Sequence, residues 1–383
     1  MSPAASRPGP TAHAGLSMEI QVLRGLAVFM TFLAHFPGVY PQFDFLLKAN
    51  FWTGVDLFLT ISGYVIAKSF FPQMALASSR KDQLALTVSF WMRRAYRLLP
   101  ASIFWAFLLL VAVWIYNRSN VFGLPWGVLD EFMAVLLYSK NIAAMYAPTF
   151  SLGPYWSLSL EEQFYFVLPL VMVYLPWLLR PVIYMPVIVV LTLFPEILGK
   201  HHHLFRFESF LFGIGIYHLR QSAYARLFEP TFLSNCLARW IFLGFILFTL
   251  LVGVHALKDF SGRPFYIMVA TGALVLAATY NKGYIPCAGW GGKCMIWLGD
   301  RSYSVYICHM PALLLVYETI FRVFGVYGTQ ALWQHAALAV AVSWGLTLWF
   351  ATFSYRWLEQ PWQRQGRAKA QFYLQVQSLP QTS

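Results

Sequence analysis

Charge is what this chain has least of. Only 11% of its 383 residues are Asp, Glu, Lys or Arg, less than half of the roughly 25% found in a soluble globular domain, and that shortage excludes a soluble fold. Acid is the scarcer sign: 15 Asp and Glu stand against 27 Lys and Arg, a formal net charge of +12. The surplus is not the footprint of a nucleic-acid binder, because the basic residues stand singly or in pairs between apolar segments, where membrane-flanking loops carry them. Cysteine is equally thin. Cys236, Cys287, Cys294 and Cys308 form no CxxC pair and lie in or beside apolar stretches, so neither a zinc site nor a disulfide framework is indicated. They read as small apolar packing residues. No internal repeat and no compositional break marks a second domain.

What fills the chain instead is apolar: 59% hydrophobic side chains and 18% aromatic ones, with a mean hydropathy of +0.58. Long apolar runs recur to the end, and in lipid only helices or closed barrels satisfy their own backbone. The fold class expected is therefore all-α, a polytopic membrane helix bundle of about ten spans. They are placed at about residues 20–38, 52–70, 98–116, 156–178, 182–198, 206–222, 240–257, 265–280, 300–323 and 331–353. Residues 1–19, rich in Pro, Ala, Ser and Gly, read as a disordered cytoplasmic tail with no convincing leader cleavage site. The bundle occupies 20–357. Residues 358–383 read as a second cytoplasmic tail, too short for a soluble esterase-like domain.

Residues 124–147 are apolar as well, but Pro125, Asp130, Glu131, Lys140 and Asn141 interrupt them, so they read as a re-entrant segment or an eleventh crossing. Charge decides in favour of ten spans. With 124–147 not crossing and both termini cytoplasmic, eighteen Lys and Arg fall inside and seven outside, as the positive-inside tendency requires. An eleventh crossing exports the basic clusters at 220–239, 282–301 and 356–369.

A lipid-facing charge costs about 3 kcal/mol at a helix centre, so polar groups within these runs need a reason. Arg24 and His35 share the first span. Eleven residues at 100° each bring them within about 20° of one line, about 16 Å apart, so one helix face is polar at two depths. The plainer alternatives are a snorkelling anchor for Arg24 and a bundle histidine for His35. Asp56 enters the second span between Gly54 and Gly63, which read as close-packing positions, and a buried aspartate wants a cation or histidine partner. Arg94 and Arg97 share a helix face before the third span, where two guanidiniums either grip a phosphate or simply flank the membrane. Ser157, Glu161 and Tyr165 form a polar stripe at four-residue spacing behind Trp156, with helix capping as the plainer reading. His201, His202 and His203 are consecutive and make no chelating face, so no metal is expected. His309 is a second intramembrane histidine, close in sequence to Asp300, Arg301, Ser302 and Tyr303, and a rival base.

Taken together, these segments resemble the acyltransferase-3 family of integral-membrane acyltransferases, which includes bacterial O-acetyltransferases of surface polysaccharide and lipopolysaccharide. The resemblance covers about residues 18 to 365. Its elements are Glu19 to His35, with Arg24 and His35 separated by ten residues; Gly54-Val-Asp-Leu-Phe58 and Ser62-Gly63; Arg94-Ala-Tyr-Arg97; and Trp156-Ser-Leu-Ser-Leu-Glu-Glu-Gln-Phe-Tyr165. Three more follow in order: Arg206-Phe-Glu-Ser-Phe-Leu-Phe-Gly213; Leu298 to His309 with Pro311; and Ser354-Tyr-Arg-Trp-Leu-Glu359 with Pro361. This chain departs from the family at Met18-Glu-Ile-Gln21, where an Arg-Leu-Asp-like start is usual, and at Tyr64, where Phe is commoner.

The resemblance implies O-acyl transfer, commonly of acetyl from acetyl-CoA as co-substrate with no permanently bound cofactor, to a hydroxyl of a glycan or glycolipid. It also implies a multi-pass protein of the bacterial inner membrane. A neutral imidazole suits the deprotonation of a hydroxyl, and His35 is the candidate base. Arg24 is placed to stabilise developing charge, with Asp56 or Glu161 to orient the ring. Arg94 and Arg97 are expected at the donor's phosphates. Trp156, Ser157, Gln163, Tyr165, Arg206, Tyr303 and His309 are the expected substrate-binding residues. Direct transfer is favoured over an acyl-enzyme on Ser157, Cys308 or a histidine. The competing class is a proton-coupled transporter or flippase, in which the same buried charges form a relay; the absence of repeated halves counts against it.

Overall fold

Ser17 starts the first helix: its hydroxyl accepts the Ile20 amide at 3.2 Å, the side-chain cap that a helix N-terminus requires. The computed structural model describes residues 17–146, 151–176, 180–194, 204–257, 262–325 and 336–378; His201 to His203 and most of the expected N-terminal tail lie outside them. Every regular element among the described residues is helical. The chain opens with five helices: α1 (Met18–Val39), α2 (Thr53–Leu76), α3 (Arg80–Ile115), α4 (Pro125–Leu136) and α5 (Lys140–Tyr146). After them come α6 (Tyr155–Tyr174), α7 (Arg180–Leu193), α8 (Phe207–Gln221) and α9 (Cys236–Phe248), the last running on through a π-helical turn. The chain closes with α10 (Arg263–Thr279), α11 (Gly289–Asp300), α12 (Ser302–Phe324), α13 (Ala336–Phe353) and α14 (Gln360–Ser378).

Each of the ten expected runs falls on one of these helices, and among the described residues six are long and apolar enough to cross a bilayer: α1, α2, α3, α9 with its π turn, α12 and α13 continued into α14. Tyr184–Leu193 of α7 and Arg263–Thr279 are apolar and shorter, and α8 has 15 residues. The all-helical bundle is thus found, with six helices of spanning length among the described residues against the ten spans expected. At 1.5 Å per residue, α4 and α5 are about 18 and 10 Å long, too short for a hydrocarbon core of about 30 Å. They are separated by Tyr138, whose φ is 50°. Gln163 holds that break, donating to the Tyr138 carbonyl at 2.8 Å and exchanging hydrogen bonds with Asn141. The Lys140 amide donates to Ser159, and Lys140 pairs with Glu131 at 3.4 Å in the interior. The segment therefore lies folded against α6.

Packing between helices is close where glycines allow it. A Cβ on Gly63 would sit 2.1 Å from the Phe210 carbonyl oxygen, and one on Gly213 would sit 2.2 Å from that of Thr60, so α2 and α8 touch backbone to backbone. Gly54 stands in the same relation to Ala27 of α1. Helix α11, whose glycine-rich start reads as loop, is the element the sequence does not announce. It lies on α1 with Gly25 against Met295 and Gly299 against Gln21. Glu19 fixes that end, accepting the amides of Gly283 (2.7 Å) and Ile285 (2.9 Å).

The last two helices are joined without a loop. A π-helical turn, Ser354–Glu359, offsets α14 from α13, and Ser354 accepts the buried Trp105 indole N–H at 3.1 Å. Residues after 357, expected as a tail, are helical to Ser378 and lie along the first half of α3. There Gly366 faces Tyr96, and Lys369 donates to the Tyr96 hydroxyl at 2.7 Å.

Candidate active site

The two intramembrane histidines meet. His35, on α1, and His309, on α12, are 274 residues apart in sequence, yet Nε2 of His309 lies 3.3 Å from Nδ1 of His35. Both rings are buried. Backbone carbonyls assign their tautomers, because a carbonyl oxygen only accepts. His309 Nδ1 lies 2.6 Å from the Tyr306 carbonyl and carries a proton, which leaves its Nε2 as an acceptor when the ring is neutral. His35 Nδ1 lies 2.8 Å from the Thr31 carbonyl and donates between that oxygen and His309. The lone pair of His35 therefore sits on Nε2, which has no hydrogen-bond partner among the described residues, beside the edge of Trp52 at 4.7 Å between ring centroids.

Further along the same face of α1 lies a small polar cavity of about 40 Å³, partly open to solvent and lined by Arg24, Ser62, Arg94, Arg97, Glu161 and Tyr165 among others. Arg24 donates to Ser302 at 2.9 Å and to Gln21 at 3.4 Å. Glu161 accepts from Ser62 at 2.9 Å and from the Tyr165 hydroxyl. The Arg94 guanidinium stacks 4.5 Å above the Tyr165 ring, and Tyr303, also on the wall, donates to the Leu98 carbonyl at 2.5 Å. Phe58 lines the cavity and stacks on Tyr306 with centroids 6.4 Å apart. Tyr306 holds His309 through its carbonyl and Ser157 through its hydroxyl. The cavity and the histidine pair are thus linked through Phe58 and Tyr306.

This geometry changes several expectations. Neither Asp56 nor Glu161 orients His35; His309 and the Thr31 carbonyl do. Asp56 pairs with Arg206 at 2.5 Å, so Arg206 is spent on a buried ion pair between α2 and α8, and Glu161 belongs to the cavity. Gln163, expected at substrate, clamps the α4 to α5 break. Ser157 is tied to Tyr306 and to the Pro154 carbonyl. Cys308 faces α13, with its Sγ 3.6 Å from the Thr347 carbonyl. Trp156 is half-buried against the core. Arg94 and Arg97 do line one cavity, with Arg24 for company. A cluster of three or more His, Cys, Asp or Glu able to hold a metal is absent among the described residues.

Sequence reasoning gave no role to Thr31, Trp52, Ser62, Ser302, Tyr306 or Glu359. The last accepts from Ser304 at 2.9 Å and interacts electrostatically with Arg97 and Arg24. All but Trp52 stood inside the segments that carried the resemblance, and for Ser302 and Tyr306 the spacing from His309 on α12 was the available signal: Tyr306 is one turn away.

Known proteins resemble the chain over most of its length. A peptidoglycan O-acetyltransferase of Listeria monocytogenes is 24% identical over 385 residues, covering 91% of this chain and 56% of the relative. An O-acetyltransferase of Staphylococcus aureus is 24% identical over 374 residues, covering 90% and 57%. The chain spans little more than half the length of these curated relatives. No solved structure matches it. A family model described as an acyltransferase domain matches residues 19–356, from the carboxylate that fixes the start of α1 to the turn that launches α14, and this multi-pass membrane protein belongs to the acyltransferase-3 family.

Proposed function

We propose that this chain is a membrane O-acyltransferase that moves an acyl group, acetyl from acetyl-CoA first among them, to a hydroxyl of a glycan. The acceptor belongs to a cell-surface polymer or glycolipid, peptidoglycan and lipopolysaccharide being the two to test, and the protein sits in the inner membrane with both termini cytoplasmic. The observation that carries this reading is the unpartnered Nε2 of His35, fixed by His309, on the same helix face as an arginine-lined cavity about 16 Å away. That spacing suits a substrate whose charged part stays with the arginines while its acyl end reaches the base.

In the reaction, His35 Nε2 takes the proton of the acceptor hydroxyl as that oxygen attacks the thioester carbonyl. The carbon–sulfur bond then breaks, and the coenzyme leaves as a thiolate that recovers the proton. His309 stabilises the imidazolium through the hydrogen bond from His35 Nδ1. Arg24, with Arg94 and Arg97, holds the donor, and Ser157, Tyr165 and Tyr303 shape the wall it passes.

The test is transfer of label from acetyl-CoA to host glycans in membranes holding equal amounts of wild type and His35→Ala. Transfer by the wild type and none by the variant supports the reading. Equal transfer by the variant removes His35 as base. Absence of transfer by the wild type from acetyl, propionyl and succinyl donors to every glycan tried overturns the acyltransferase reading and favours a transporter.

A further inference from the structure

Arg94 lines a second space besides the inner cavity. An open groove of about 670 Å³ runs between α2, α3 and α14, bordered by Ser69, Gln73, Arg93, Arg94, Arg367 and Gln371. Three guanidiniums from two separate helices converge there, and no carboxylate lines the groove. Each spends one hydrogen bond on a protein acceptor: Arg93 on Ser89 at 2.6 Å, Arg94 on Tyr165 at 3.5 Å and Arg367 on Gln363 at 2.9 Å. A guanidinium has five N–H donors, so most of the donor capacity in this groove is left for an anion, although the charge of Arg94 is shared with the buried Glu162 behind it. Three like charges brought together without one repel.

The position of Arg367 is built, not accidental. Gly366 lets α14 press on α3, where a Cβ would lie 2.4 Å from that of Tyr96. Trp362 meets the Tyr96 ring at 6.0 Å, and Lys369 donates to its hydroxyl. Three residues within two turns of α14 thus grip one tyrosine of α3 and set Arg367 opposite Arg93 and Arg94. All of α14 lies beyond residue 356, where the family match ends.

We propose that this groove binds the phosphate groups of the acyl donor's nucleotide, with Arg367 and Gln371 of α14 completing a surface that Arg93 and Arg94 begin. The inference rests on the donor assigned under the proposed function. Because Arg94 borders both spaces, an anion held in the groove lies beside the cavity that Arg24 also lines. Planar guanidiniums suit this task, each offering paired donors to phosphate oxygens.

The experiment is titration of coenzyme A into the full chain in phosphatidylcholine nanodiscs, using wild type, Arg367→Gln, Arg367→Lys and Arg364→Gln. Arg364 is an exposed arginine of the same helix that does not border the groove, so its variant controls for loss of a charge. Arg367→Gln is expected to weaken coenzyme A binding about tenfold, with Arg367→Lys recovering part of it and Arg364→Gln matching wild type; adenosine 3′,5′-bisphosphate, the nucleotide part alone, follows the same order. Equal weakening by Arg364→Gln and Arg367→Gln, or none by Arg367→Gln, overturns the proposal while leaving the donor reading intact. A dependence on Arg367 that appears only with phosphatidylglycerol in the discs assigns the groove to a lipid headgroup and overturns it too. If wild type binds no coenzyme A at all, it is the donor assignment itself that fails.

Discussion

His309 accepts, through Nε2, a hydrogen bond from Nδ1 of His35, so the site is a histidine oriented by a histidine. A carboxylate in that position would hold the ring as an anion. An imidazole orients it without adding charge to the bundle interior, where an unpaired charge is costly. The two rings consequently have unequal roles, the one exposing a lone pair and the other fixing it.

His309→Ala should lower acyl transfer by about 10- to 100-fold, the range lost with a supporting partner, while His35→Ala should abolish it. His309→Gln, whose amide oxygen can accept from His35 Nδ1, should recover part of the loss. Initial rates at matched membrane levels give the answer. Equal losses for alanine and glutamine at 309 would show that the hydrogen bond does not matter.

Cys308 offers the contrary expectation. Its Sγ is turned to the Thr347 carbonyl of α13 and away from the cavity, so Cys308→Ser should keep more than half of the wild-type rate. An inactive but well-folded Cys308→Ser protein, or an acyl group recovered on that sulfur by mass spectrometry, would reinstate the acyl-enzyme route.

Asp56 and Arg206 form a buried pair, and breaking such a pair from one side costs about 3–5 kcal/mol, because a charge is left without its partner. Asp56→Ala and Arg206→Ala should each reduce the thermal stability of the purified protein sharply. Asp56→Leu combined with Arg206→Met should recover much of it. If Asp56→Ala is as stable as wild type and yet inactive, Asp56 acts in the chemistry and not in the packing.

Gly63→Val places two methyl groups where α2 and α8 already meet through their backbones. Overpacking of this kind costs about 1–3 kcal/mol. The thermal transition should fall, and the yield of folded protein with it. The same substitution at Gly345, where nothing lies within 4 Å of a Cβ, should be close to neutral.

Outside the spans, Glu229 accepts from Lys282 (2.5 Å) and Tyr284 (2.7 Å). These hydrogen bonds hold its carboxyl below the ordinary 4.5, while burial and the neighbouring carboxylate push Tyr284 up to about 12. A carboxyl depressed in the folded state contributes stability that is complete above its unfolded pKa and is lost as pH falls through the lower folded value. Hydrogen exchange at residues 280–285 should therefore quicken as pH drops below about 4.5, after correction for the intrinsic rate, and Glu229→Gln should remove that dependence. An unchanged pH dependence in the variant would separate Glu229 from the stability of this loop.

Much of this site was legible because it is written on single helices. Arg24 and His35 share a face by arithmetic alone, and Arg94 and Arg97 by a spacing of three; both pairs stand where that predicts. Partners drawn from distant segments were not legible. Asp56 finds Arg206 and His35 finds His309 through the way α2, α8 and α12 pack, which no local period reports. Gln163 misleads for a similar reason: it sits in the same polar segment as Glu161 but serves a break 22 to 25 residues earlier in the chain. Helix α11 was hidden by its glycines, which weaken a helix in isolation but here let it lie on α1.

Helix α3, with 36 residues, is about 54 Å long, against a hydrocarbon core of about 30 Å. The part after Arg97 spans about 27 Å by the same rise, so the arginines stand near the water and the remainder can cross lipid. Since α1, α3 and α12 are bonded to one another through Arg24 with Ser302 and Tyr303 with Leu98, the separation of arginines from histidines is a property of the protein scaffold. A thicker or thinner bilayer therefore shifts the whole assembly relative to the interface and leaves the distance between the arginines and the histidine pair unchanged.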